Sequence, residues 1–312
     1  YYPLLHSAFW LQYRFWGDNT LGYHLVSISL HAVSSAVFML ILRRLGIPGA
    51  FLAALLFALH PVHVESVAWI SELKNTLSGA LYLFAMLTYL RFDDRRQPAL
   101  YALAWLAFIA SMLSKSVTAT LPGAVLVVLW WRAGRLSWTR DVVPLIPFAV
   151  AGTAFGWITA WFERTYIGAD GPQFAMSFVE RGLVAGRAVC FYAWKLLWPT
   201  NLSFVYERWQ IDAAVWWQFL YPLAVLGAVA GAWLLRMRSR SGLAAIALFC
   251  LTLAPALGFV DVYPFQFSFV ADHFQYLASL GPIALAAGAA ASLYRRSKLW
   301  PLVAHFAIAA LA

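Results

Sequence analysis

Charge is what this sequence has least of: Asp, Glu, Lys and Arg make up 11% of its 312 residues against 63% hydrophobic ones, and the acids number only 13. A soluble globule of this length needs far more polar surface, so the composition excludes one and puts the chain in lipid. Cysteine is nearly absent. The two present, Cys190 and Cys250, stand far apart in apolar surroundings without CxxC spacing, which reads as two core residues rather than a disulfide or a metal site. Also missing are the period-2 alternation of a β-barrel, any internal repeat, any low-complexity linker and the ordered segments of a signal peptide. The chain opens on Tyr1 rather than Met and stops at Ala312 inside an apolar run, so residues 1–312 read as one membrane domain truncated at both ends.

What is there is a succession of apolar stretches, which cross a bilayer only as helices whose backbone groups pair internally. The expected fold class is all-α: a polytopic transmembrane bundle with about ten spans, at 23–42, 49–63, 76–91, 98–113, 117–131, 143–161, 215–235, 243–260, 277–294 and from 300 onward. Between alternate spans lie Arg43 and Arg44, Arg91 with Arg95 and Arg96, Arg132 with Arg135 and Arg140, Arg236 with Arg238 and Arg240, and Arg295 and Arg296 with Lys298. The positive-inside rule makes these five loops cytoplasmic. They hold 14 of the 22 Lys and Arg residues and three acids, Asp93, Asp94 and Asp141, which leaves ten acids on the opposite, His-rich face. This sidedness accounts for the net charge of +9 without a nucleic-acid partner. A full crossing between Gly182 and Trp198 would break the parity, so 183–198 is expected to be a re-entrant or interfacial helix with Arg187 and Lys195 at headgroup depth. Alternatively, both side chains snorkel.

Three constellations on the acidic face could carry chemistry. His60-Pro61-Val62-His63-Val64-Glu65 ends an apolar run, and a helix after Pro61 would put Glu65, Trp69 and Glu72 on one face, an aromatic platform flanked by acids that suits a sugar or polar headgroup. His60, His63 and Glu65 are metal-ligand types, but their spacing and Pro61 argue against a zinc site, and a helix end whose His residues cap carbonyls is the plainer reading. Lys115 in Ser114-Lys115-Ser116 sits at a membrane rim, where an ammonium either holds a phosphate or snorkels. In Asp272-His273-Phe274-Gln275-Tyr276 a helix would bring Asp272 and Tyr276 together at i, i+4, and Asp272 would orient an acceptor hydroxyl or simply cap the helix.

In this order, with Tyr2-Pro3-Leu4, Gly22-Tyr23-His24-Leu25 before His31, Thr120-Leu121-Pro122 after Lys115 and Trp198-Pro199-Thr200-Asn201-Leu202, these segments resemble the transmembrane-and-tetratricopeptide-repeat O-mannosyltransferase family and its bacterial relatives, of the GT-C glycosyltransferase superfamily. The bacterial pattern usually runs Ser-Glu-Arg-Lys-Asp where this chain has Ser71-Glu72-Leu73-Lys74-Asn75, and an Arg usually stands at His273. The last exchange swaps a permanent charge for one that titrates near neutrality.

The resemblance implies a membrane glycosyltransferase with a GT-C-type bundle, taking a sugar from a polyprenyl-phosphate carrier to a protein or glycan acceptor on the extracytoplasmic side, in the plasma (inner) membrane if the chain is bacterial. Its general base lies upstream of Tyr1. Lys74, Lys115, Arg187 and His273 then hold the carrier phosphate, while His60, His63, Glu65, Asp272 and Tyr276 line the sugar or acceptor site. Cationic side chains that neutralise a monophosphate leaving group make an obligatory metal or cofactor unnecessary. Partners are membrane lipids, the lipid-linked donor and the acceptor. The rival readings are a non-catalytic transporter or flippase of a lipid-linked substrate, which would carry polar residues deep in its spans, and an inactive scaffold, kept open by Leu73, Asn75 and His273.

Overall fold

The computed structural model describes residues 2–296. It is all-α, with helices α1 (Pro3–Trp16), α2 (Thr20–Arg44), α3 (Ala50–Leu59), α4 (Val64–Ala68), α5 (Leu73–Arg95), α6 (Pro98–Ser114), α7 (Leu121–Ala133), α8 (Ile146–Phe162), α9 (Phe178–Leu197), α10 (Leu220–Leu235), α11 (Ser241–Leu253) and α12 (Leu280–Arg296). Their ends follow local chemistry. Asn19 caps α2 by accepting from the Leu21 amide at 3.1 Å, and Ser177 with Glu180 forms a reciprocal capping box at the start of α9. Pro98 opens α6, where a missing N–H costs nothing, and Gly134 closes α7 in the left-handed conformation.

The expectation of about ten spans is corrected. Among the described residues four helical stretches are long and apolar enough to cross a membrane: Thr20–Arg44, Ser116–Ala133, Trp138–Ile167 and Trp216–Leu235. A fifth results if Ala50–Leu59 and Pro61–Ala68, bent by 54° to one another, are one broken span. Hydropathy along the chain does not see where helices stop. Pro61 cuts the run at 49–63, and the runs at 98–113 and 243–260 make only the shorter helices Pro98–Ser114 and Ser241–Ala256. The run at 277–294 becomes α-helix only at Leu280. That at 76–91 lies in α5, which is long enough but carries Lys74, Asn75, Arg91, Asp93 and Asp94. The expected span from 300 lies outside the described residues. Residues 183–197 fall within the continuous 20-residue α9, which Trp198 ends, and the one bent pair among the described residues is that at His60.

α5 is the axis of the bundle. Its apolar side chains, among them Tyr82, Leu83, Ala85, Tyr89 and Leu90, are buried in one cluster with residues of α2, α3, α6, α7, α8 and α12. Such a helix is surrounded by protein rather than lipid, which is why it can carry polar residues. Over its 23 residues it separates two polar ends by roughly 35 Å at 1.5 Å per residue. At its C-terminal end the arginine loops meet: Arg44 and Arg132 bind Asp94 at 2.5 and 2.9 Å, and Arg96 binds Asp93 at 2.5 Å and donates to the Arg140 carbonyl at 3.1 Å. Its N-terminal end carries the acids and lysines of the candidate site.

Candidate functional site

The chain from His60 to Asn75 is not one helix. His60 is extended, Pro61–His63 is a 3-10 turn, α4 lasts only to Ala68, Trp69 is extended again, and a second 3-10 turn, Ile70–Glu72, leads into α5. The helical face expected to join Glu65, Trp69 and Glu72 therefore does not exist, and these side chains reach separate partners. Asp272–Gln275 is likewise a 3-10 turn. Asp272 and Tyr276 consequently diverge, one to Tyr206 and the other to His31.

What these breaks assemble is a ring of charged and polar groups. Glu72, 1% exposed, pairs with Lys74 at 2.8 Å and accepts from the Asn75 amide at 2.5 Å. Asn75 also donates to Ser66 Oγ at 3.3 Å, and its oxygen accepts from Lys115 Nζ. Lys115 reaches this position because it is extended between α6 and the turn Ser116–Thr120, and its ammonium stands 6.0 Å from the centre of the Phe274 ring. From the other direction, Glu65 accepts from the His273 amide at 2.9 Å and is bonded to His273 Nδ1 at 2.8 Å. Beside it Asp272, 3% exposed, accepts from the Tyr206 hydroxyl at 2.9 and 3.0 Å.

Electrostatics couple these pairs. Burial pushes the Glu72 carboxyl up, but the positive charges of His273, Lys115 and Lys74 outweigh it and hold the group below its usual range. Burial, with the Lys74 charge, lowers Lys115 to about 8 against the pull of Glu72 and Glu65. Burial also raises Asp272 to about 6; the Glu65 charge adds to the rise, and the Tyr206 hydrogen bond and Lys195 oppose it. A carboxylate titrating near neutrality and an ammonium with a lowered proton affinity thus occur in one cluster.

Of the nine residues singled out in the sequence, Glu65, Lys74, Lys115, Asp272 and His273 are in this ring. His60, His63 and Tyr276 hold the fold beside it. His60 Nε2 bonds the Leu196 carbonyl at 3.0 Å. His63, 1% exposed, bonds the Phe57 carbonyl at 2.7 Å and Ser279 Oγ at 3.0 Å. Tyr276, 2% exposed, meets His31 Nδ1 at 2.8 Å, and its ring lies so close to Gly79 that a Cβ there would stand 2.6 Å from Tyr276 Cε1. No group of three His, Cys, Asp or Glu residues among the described ones could hold a metal ion. Arg187 stands apart, stacked 4.4 Å from the Trp209 ring and 5.6 Å from that of Tyr221.

Tyr206, Asn75, Ser66 and Gln275 did not emerge from the sequence as site residues. Gln275 is fully buried, and neither amide atom has a protein partner. Only its place two residues after His273 pointed to it. At the rim the Trp69 and Phe204 rings meet with centroids 3.8 Å apart, both partly exposed.

No protein-family model matches the chain, and no solved structure does. It is similar to curated proteins named "Protein O-mannosyl-transferase": one from Xenopus laevis (tmtc2), 29% identical over 237 residues; one from Caenorhabditis elegans (F38B6.6), 28% over 221; and one from Homo sapiens (TMTC2), 33% over 240. Each match takes in 68% of this chain, but the chain spans only 28%, 31% and 28% of the respective relatives.

Proposed function

We propose, with kinship to the TMTC protein O-mannosyl-transferases as the premise, that this chain is the membrane-embedded part of a glycosyltransferase. It moves a sugar, mannose by the relatives' names, from a polyprenyl-phosphate carrier to a hydroxyl of a protein or glycan acceptor. The ring lies at the end of the bundle away from the arginine loops, so the positive-inside rule supports an extracytoplasmic site. The observation that carries the reading is that three bonded sets from segments up to 208 residues apart, Glu72 with Lys74, Asn75 and Lys115, Glu65 with His273, and Asp272 with Tyr206, lie close enough for their charges to act on one another.

The acceptor oxygen attacks the anomeric carbon, the bond from that carbon to the phosphate oxygen breaks, and the carrier phosphate leaves with the bonding pair. Lys115 and Lys74, with His273 beside them, stabilise the charge that this phosphate gains. The acceptor proton needs a carboxylate. Asp272, with its affinity for protons raised to about 6, is suited to take it, and Tyr206 positions it. Asp272 thereby supplies within the chain a role that the resemblance put upstream of Tyr1. Trp69 and Phe204 offer aromatic faces to the sugar or acceptor.

The test is transfer of labelled mannose from a polyprenyl-phosphate donor by the full-length protein in liposomes. Asp272→Asn and Lys115→Ala are each expected to lower turnover by about a hundredfold or more, the scale of losing a base or an electrostatic stabiliser. Unchanged transfer in both variants overturns the assignment.

A further inference from the structure

At the other end of α5, away from the ring, lies a recess of about 670 Å³ lined by Arg132, Arg236, Arg238 and Arg240 together with Trp131 and Trp233 among others. No acid lines it. Arg132 is tied to Asp94 at 2.9 Å, and Arg236 lies 3.9 Å from the Trp233 ring centre and donates to the Trp233 carbonyl at 2.8 Å. Arg238 and Arg240 pair with no carboxylate among the described residues, so their charge is uncompensated by protein. Arg240 is fitted into place: Gly134, at φ 78°, leaves its guanidinium the space that a Cβ would fill. Trp131 Nε1 donates to Ser241 Oγ at 3.0 Å and joins α7 to α11 behind it.

A second cavity, of about 390 Å³ and almost wholly apolar, shares Leu45, Trp131, Ser239 and Ser241 with the recess. It continues between α2, α11 and α12, past residues such as Ile41, Ala244 and Ala284, as far as Leu277. A basic recess opening into an apolar groove matches one kind of molecule: an anionic head on a long hydrocarbon chain.

We propose that this paired cavity is a binding site for an anionic glycerophospholipid, its phosphate on Arg238 and Arg240 and one acyl chain in the groove. A soluble phosphate would leave the groove unfilled. A zwitterionic lipid would fill the groove but bring no net negative charge to the arginines. The site is independent of the proposed transfer chemistry, which lies at the opposite end.

The test is native mass spectrometry of the protein extracted from vesicles of equimolar phosphatidylglycerol and phosphatidylcholine. Phosphatidylglycerol is expected to be retained preferentially, and Arg238→Gln and Arg240→Gln to weaken retention by about fivefold each, corresponding to about 1 kcal/mol per basic residue. Ala244→Leu, which fills the groove and leaves every charge in place, is expected to displace the lipid as well. Equal retention of both lipids by the unaltered protein overturns the proposal, and so does full displacement by soluble glycerol phosphate. Neither result depends on a variant folding.

Discussion

Glu65 and His273 are 208 residues apart in sequence and meet through two hydrogen bonds, the carboxylate accepting from the His273 amide at 2.9 Å and bonded to its ring at 2.8 Å. A backbone amide and its own side chain on one carboxylate fix the position and orientation of the turn carrying Asp272, Phe274 and Gln275. The pair is therefore the hinge pin of the site as well as part of its charge.

Glu65→Gln keeps the shape of the side chain but weakens both bonds. A loss of about 1.5–3 kcal/mol is expected, the range for a hydrogen bond to a charged group, together with reduced transfer. His273→Arg puts a permanent cation at this position and is expected to keep the fold and lower the donor KM. Thermal melts and donor KM, measured on both variants, check this.

Asp272 gives a signed pH dependence of stability. With its folded value raised to about 6, the folded chain holds a proton between about pH 4 and 6 that the unfolded chain has released. Stability from this group is thus complete at low pH and falls as pH rises through that window, by about 1–3 kcal/mol. Asp272→Asn should melt higher than the unaltered protein at pH 7.5, match it near pH 4, and be inactive. A lower melting temperature at pH 7.5 would contradict the burial argument.

Lys115 loses its charge as pH rises through about 8. If its ammonium holds the carrier phosphate, the donor KM should be flat below pH 7 and climb by roughly tenfold per unit well above pH 8, a one-proton dependence, while kcat changes less. In Lys115→Met the donor KM should be high at every pH. In folding, the sign is the reverse: a depressed lysine adds stability as pH rises from about 8 to about 10.

Gly79→Ala tests the struts behind the site. The new Cβ would stand 2.6 Å from Tyr276 Cε1, so the ring must shift and strain its bond to His31. A loss of about 1–3 kcal/mol is expected, the usual cost of overpacking a core. An unchanged melting temperature would mean that the ring is free to move.

Much of this was legible in the sequence. Arginine spacing anticipated the gathering of Arg44, Arg96, Arg132 and Arg140 at one end, and Glu65, Lys74, Lys115, Asp272 and His273 stood out as polar residues at the rims of apolar runs. The number of spans was not legible, because apolarity continues through Pro61 and through helices that stop too soon. Nor was the division of labour around His63 and Tyr276. Their partners His31 and Phe57 lie inside apolar runs, and nothing local marks a histidine there as a strut. Tyr206 and Gln275 were hidden for the opposite reason: loop residues acquire a role only from what the fold places beside them.

Asn75 touches Ser66, Glu72 and Lys115 at once, and Leu73, two positions before it, is 1% exposed. An aspartate at 75 would keep the oxygen that accepts from Lys115 but lose the N–H groups given to Glu72 and Ser66, and would set two carboxylates side by side. A carboxamide is the group that accepts from an ammonium with one end and donates to a carboxylate with the other. Asn75 therefore acts as a neutral coupler, passing polarisation between Lys115 and Glu72 without adding a charge of its own.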